Sequence, residues 1–208
     1  MLLVIIIKNI GIIIRNFEEN NKKFIGTRED LFKSFYKYDV NLVGIPISND
    51  FYKIKELVDF CDGIILSGGD AFLEQDFLLV EYLYKNDIPT LGICLGMQSM
   101  AKHFSNMDEI AIKNHLSNKL YVHYINIKKD SLLYKILGNN RILINSRHKS
   151  AIIHTNLNIS ALSDDDVIEA VEDSKKKFFL GVEWHPESLD DEYTKKLFDY
   201  FINVVNSY

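Results

Sequence analysis

The 208-residue chain is 47% hydrophobic and carries a net charge of -5, which gives apolar material for a full core and excludes a basic surface for nucleic acid. Three prolines, ten glycines and the lack of repeated or low-complexity stretches leave little room for a linker and predict one domain over residues 1–208. Its two cysteines, Cys61 and Cys94, form no CxxC pair and follow no secretory signal, as expected of reduced thiols in a cytoplasm.

The opening MLLVIIIKNIGIII lacks a basic leading region and a cleavage site, and Lys8 and Asn9 interrupt it. It falls short of the ~20 residues of a membrane span, so a buried first strand is expected and no membrane contact. From Thr27 the run REDLFKSFYKY reads as a helix with an acidic first turn. NLVGIPI follows as a strand, then an amphipathic helix ending at Cys61, a small buried hydrophobe. Asp62-Gly63 turns the chain into IILSGGD, a buried strand running into a Gly-Gly loop, and a helix from Gln75 to Lys85 leads through Pro89 to TLGIC. This alternation predicts βαβ units around a parallel sheet whose site lies at the carboxyl ends of the strands.

In the second half KLYVHYINI, RILINS, NISALS, DVIEAVE and FFLGVEW are short β-rich segments, and an amphipathic helix from Asp191 to Val205 closes the chain. The run Lys175-Lys176-Lys177 reads as a solvated turn. His103, His115 and His123 read as scattered polar positions, with no metal or organic cofactor expected.

The stretch LGICLGMQ sets Cys94 between Gly92 and Gly96 where a strand passes into a helix. That is the pattern of a nucleophile elbow, and the helix N-terminus is expected to favour the attacking thiolate. A base is offered by GVEWHPE: residues two apart in an extended segment share a side, so Glu187 can orient His185 while its other nitrogen faces the thiol. The Gly-Gly turn of LSGGD can aim a backbone N–H at a developing oxyanion, paired with the N–H of Leu95.

GICLGMQ, ILSGGD and GVEWHPE together resemble the three signatures of the class I glutamine amidotransferase-like superfamily. The resemblance implies a three-layer, flavodoxin-like α/β fold with a mostly parallel central sheet, helices on both faces and a small additional β-rich portion in the second half. It implies a Cys94-His185-Glu187 triad, Gly69 and Leu95 as oxyanion donors, and Gly68 and Gln98 against the substrate. Trp184, Asp70 after the two glycines, INSRHKSAI and the early TREDL are similar to the γ-glutamyl hydrolase branch, peptidase C26, and imply that Asn145, Ser146 and His148 line the pocket. Arg147 and Lys149 are then either readers of an anionic leaving group or solvated charges.

The implied activity is cysteine-dependent hydrolysis of a γ-glutamyl amide, through a γ-glutamyl thioester on Cys94. The substrate is a small molecule, either a γ-glutamyl amine or a γ-glutamyl-CDP-amidate. Leu95 stands where many members of the branch carry arginine, and GICLGMQ is similar to synthase-linked glutaminases. A glutaminase subunit serving a separate synthase is therefore the alternative, with a non-catalytic binding protein a distant third. The oligomeric state stays open, a homodimer included.

Overall fold

The computed structural model describes residues 7–105 and 107–208, so residues 1–6 of the expected first strand lie outside the described residues. In the first half, strands β1 (Lys8–Glu19), β2 (Lys22–Gly26), β3 (Val40–Pro46), β4 (Gly63–Leu66) and β5 (Thr90–Ile93) alternate with helices α1 (Glu29–Phe35), α2 (Phe51–Asp59) and α3 (Glu74–Lys85). Helix α4 (Leu95–His103) leads into the second half. There β6 (Ile110–Ala111), β7 (His123–Ile127), α5 (Leu132–Leu137), β8 (Arg141–Ile144), β9 (Ser150–Ala151), β10 (Asn158–Ser163), β11 (Ile168–Glu172), β12 (Phe179–Val182) and α6 (Glu192–Asn206) follow.

Ten strands form one sheet, in the order β2-β1-β4-β5-β12-β11-β10-β7-β8 with β3 also on β1, and β6 and β9 form a separate pair. Strands β3, β1, β4, β5 and β12 run parallel, and β11, β10, β7 and β8 continue the sheet antiparallel. Helices cover both faces, as the sequence led one to expect. Phe35 of α1, Leu133 of α5 and Phe198 and Phe201 of α6 pack in one core, whereas Ile54 of α2, Leu79 of α3 and Met97 and Met100 of α4 pack in the other. Strands β4, β5 and β12, buried along their whole length, are continuous apolar runs, the mark of a parallel sheet covered on both sides.

Besides the short pair β6 and β9 and a 3-10 turn over Pro186–Ser188, two elements are absent from the sequence reading. Strand β1 continues past the apolar run to Glu19 and returns as β2 through Asn20 and Asn21, both with positive φ (52° and 59°), a hairpin turn that asparagine tolerates. Helix α5 is a short turn and a half capped by Ser131 and by Glu172, whose carboxylate accepts from the N–H groups of Leu132 and Leu133. The expected strand KLYVHYINI also shortens, to His123–Ile127.

Candidate active site

Three neighbouring parallel strands deliver the expected residues to one end of the sheet. Strand β5 lies between β4 and β12, with Gly92 in register with Leu66 on one side and Gly181 on the other. Ser67-Gly68-Gly69 therefore leaves β4, Cys94 leaves β5 and His185 leaves β12 side by side. Gly92 and Gly181 lie against Met97 of α4, and a Cβ on Gly96 would stand 2.0 Å from the Leu66 carbonyl oxygen. The helix thus sits so close to the sheet that only glycine fits at its first turn.

Cys94 has φ 52° and ψ -113°, a conformation that costs a non-glycine residue of order 1–3 kcal/mol. Surrounding bonds hold it there: its N–H donates to Val182 O (2.9 Å), and its carbonyl accepts from the N–H of Gln98 (2.9 Å). The thiol is buried and the backbone N–H of Leu95 reaches it. The expected thiolate is not favoured. Burial pushes the Cys94 thiol well above its ordinary range, with the Glu183 carboxyl a second cause, and the Leu95 N–H offsets only part of this. Burial, and then Glu169, push the Glu183 carboxyl up as well, so desolvation is the leading cause at both groups.

His185 Nδ1 and Glu187 Oε1 are 2.7 Å apart, the pairing expected of an imidazole and its orienting carboxylate, although it is reached through a 3-10 turn over Pro186–Ser188 and not the expected extended segment. A methyl group on Gly68 would touch both His185 Cε1 (3.1 Å) and Cys94 Cβ (3.5 Å), so histidine and cysteine flank the same space. That space is a cavity of about 410 Å³ walled by Gly68, Gly69, Cys94, His185 and Glu187, with Arg15, Arg28 and Arg147 around it and Phe17 at its edge. A second cavity of about 260 Å³ shares Gly69, Asp70, Cys94 and Arg147 with the first and continues to Leu95, Gln98, Glu109, His148 and Lys149.

Asn145 and Ser146 depart from expectation. Both are fully buried and line neither cavity. Asn145 grips the backbone of His185, and Ser146 Oγ donates to His115 O (2.6 Å). Gln98 does line the second cavity, while its amide nitrogen donates to Ser150 O and Glu183 Oε1. Of His103, His115 and His123, the last two meet with ring centroids 4.5 Å apart, while His103 stays apart, against Phe104. Their partners come from distant segments, which sequence spacing does not reveal.

The sequence reading also passed over Arg15. Its guanidinium forms a buried two-point pair with Asp76 (2.7 and 3.1 Å) and donates to Ser67 O (3.2 Å), so it braces the Gly-Gly loop. The signal was an arginine in the otherwise apolar run GIIIRN. Among the described residues no helix is long and apolar enough to cross a membrane.

The sequence pattern of peptidase C26 matches residues 73–187, over half of the chain. The chain belongs to the peptidase C26 family. It is thereby a member of the class I glutamine amidotransferase-like superfamily, a family of hydrolases. A glutamine amidotransferase-like protein of Rickettsia prowazekii is 28% identical to this C26 chain, over 82% of this chain and 92% of its own length. One subunit of the glutamine-hydrolysing GMP synthase of Methanothrix thermoacetophila is 31% identical over 69% and 76% of the two chains. In fold, the crystal structure of a GMP synthase subunit from Thermoplasma acidophilum superposes with a TM-score of 0.73 at 19% identity, covering 97% of this chain and 96% of that one.

Proposed function

We propose that this peptidase C26 member hydrolyses a γ-glutamyl amide whose leaving group is anionic, with Cys94, His185 and Glu187 as its triad. The observation that carries the reading is the shared cavity: the strained cysteine at the end of β5 and the His185–Glu187 pair at the end of β12 wall one space.

Because burial raises the thiol and disfavours a resting thiolate, His185 takes the Cys94 proton as sulfur attacks the γ-carbonyl. Glu187 supports the imidazolium that forms. The N–H groups of Gly69 and Leu95 hold the oxyanion. His185 then gives the proton to the departing amine, leaving a γ-glutamyl thioester. Water, deprotonated by His185, attacks that thioester; glutamate leaves and the thiol is restored.

The two cavities suit the two halves of such a substrate. The second holds both signs that a glutamyl group needs, Glu109, which also pairs with Lys102 at 2.7 Å, for its ammonium and Lys149 for its α-carboxylate, beside Gln98. The first surrounds the leaving group with Arg15, Arg28 and Arg147. Arg147 reaches Ser188 Oγ (2.8 Å) and Arg28 pairs with Asp30, so both guanidiniums are braced at the wall. Phe17, stacked on Phe24 at 5.4 Å, offers a flat aromatic face at the rim. Guanidinium and aromatic surface together favour a phosphorylated leaving group over a plain amine.

The test is glutamate release by the purified chain from glutamine, γ-glutamyl-γ-aminobutyrate and a γ-glutamyl phosphoramidate, with Cys94→Ala as the blank. Cys94-dependent turnover fastest on the phosphoramidate is expected; equal rates on all three would remove the leaving-group assignment. The second reading, a glutaminase subunit serving a synthase, is favoured by the likeness to the GMP synthase subunit of Methanothrix thermoacetophila. Under it, the isolated chain is slow on every amide and a γ-glutamyl electrophile still labels Cys94.

A further inference from the structure

Four side chains from separate segments converge beside the second cavity: His115 after β6, His123 at the start of β7, His148 between β8 and β9, and Glu169 on β11. Glu169 Oε1 lies 3.0 Å from His123 Nε2, 3.3 Å from His115 Nδ1 and 3.8 Å from His148 Nε2, and those last two nitrogens are 3.1 Å apart. Donors held about 2.0–2.1 Å from a tetrahedral zinc ion stand about 3.3–3.4 Å from one another. The four separations above bracket that spacing, and the donor atoms of His115, His123 and Glu169 all lie within 4.8 Å of one another, with His148 beside them.

Bonds on the far sides of the rings fix which nitrogens face inward. His148 Nδ1 meets the Ser150 carbonyl oxygen at 3.1 Å, and a carbonyl only accepts, so Nδ1 carries the proton and Nε2 points inward as a bare lone pair. His115 Nε2 meets the Asp165 carboxylate at 3.2 Å, itself held by Ser163 Oγ at 2.6 Å. In a neutral His115 with its proton on Nε2, Nδ1 is bare as well. A bare Nδ1 there repels His148 Nε2 at 3.1 Å, and a cation between them, a second proton on His115 or a metal ion, removes the repulsion. His115, His148 and Glu169 are buried, and Glu169 Oε2 has no hydrogen-bond partner. Histidines whose outer nitrogens are anchored by a carboxylate or carbonyl are the usual ligands of zinc.

We propose that His115, His123, His148 and Glu169 bind one zinc-class divalent cation. Imidazoles and a carboxylate suit zinc among the first-row ions, and His148 beside the other three donors would supply the fourth protein ligand that structural sites have. The ion joins the loops that carry His115 and His148 to the sheet. Ser150 O, which anchors His148, also accepts from Gln98, so the metal steadies one wall of the second cavity.

The experiment measures metal in the purified full-length protein and then titrates chelator-stripped protein with zinc against a chromophoric chelator. One zinc per chain is expected, with the intense visible absorption of tetrahedral cobalt, free of a thiolate charge-transfer band, when cobalt replaces it. His123 is partly exposed, so His123→Ala is the variant least disturbing to the fold; circular dichroism checks it, and at least about 100-fold weaker binding is expected. Cys94→Ala should bind as the parent does. A folded protein that takes up no zinc from micromolar free ion, a cobalt spectrum with a thiolate band, or unchanged affinity in His123→Ala overturns the site. None of these readouts depends on turnover, so the hydrolase assignment stands or falls separately.

Discussion

Asn145 holds the main chain of His185 at both ends: its Nδ2 donates to the histidine carbonyl oxygen at 2.7 Å, and its Oδ1 accepts the histidine N–H at 2.8 Å. The pair joins β8 to the end of β12 and fixes the angle at which the imidazole leaves its strand. Asn145→Ala is expected to lower kcat by roughly 100-fold, since displacement of a catalytic group by about 1 Å has that effect, with KM nearly unchanged. Two buried backbone groups lose partners, so stability falls by about 1–3 kcal/mol each at most. Steady-state kinetics with urea melts separates these effects; a raised KM with intact kcat would restore Asn145 to a substrate-binding role.

Arg15 and Asp76 form an ion pair with almost no solvent contact. Arg15→Met leaves a buried carboxylate alone, and a loss of about 3–5 kcal/mol is expected. In the double variant Arg15→Met with Asp76→Leu much of that stability should return, but not the turnover, because Ser67 O loses its guanidinium donor. Recovery of both would mean that the pair serves folding alone.

Neither thiol is set for reaction in the free protein. Burial pushes Cys61 up to about 11, with Asp62 adding to it, and Cys94 is also raised, by burial first. Alkylation by a neutral reagent should therefore be slow at pH 7 at both positions and rise with pH beyond the range of ordinary cysteine. The linkage has one sign: a folded-state pKa above the unfolded one stabilises fully below the unfolded value, and that contribution is lost as pH rises through the folded one. Rapid labelling of Cys94 at neutral pH would instead reveal a thiolate–imidazolium pair.

Two glycines separate packing from backbone freedom. Gly96→Ala puts a methyl group onto the Leu66 carbonyl oxygen, and since that atom is backbone the helix must shift, at an expected cost above about 3 kcal/mol. Gly138 ends α5 with φ 72° and has open space around it, so Gly138→Ala costs only about 1 kcal/mol. Denaturant midpoints of the two variants rank them; equal losses would refute the close approach of α4.

What the sequence made legible follows from distance along the chain. The elbow, the Gly-Gly loop and His-Pro-Glu each lie within a few residues, where strand ends and glycines carry their own signal, and the βαβ alternation reads from hydrophobic period alone. The His115–His123–His148–Glu169 cluster and the Asn145 grip on His185 each depend on contacts between segments remote in sequence. The β1–β2 hairpin hid behind a polar, charged run in which Asn20-Asn21 was the lone turn signal. The resting state of Cys94 was misjudged because a helix N-terminus is visible in sequence whereas burial is not.

The donors and acceptors that align Cys94 with His185 belong to β5 and β12, in the middle of the ten-stranded sheet, with Val182 in register with Ile93. Fraying of the β2–β3 edge cannot change that alignment without first passing through β1 and β4, and on the far side the Asn145 grip ties β8 to the end of β12. Amides of β5 and β12 accordingly exchange with solvent only through global unfolding. Heat should abolish thiol positioning and tertiary structure in a single event, leaving no partly melted form that retains a competent nucleophile.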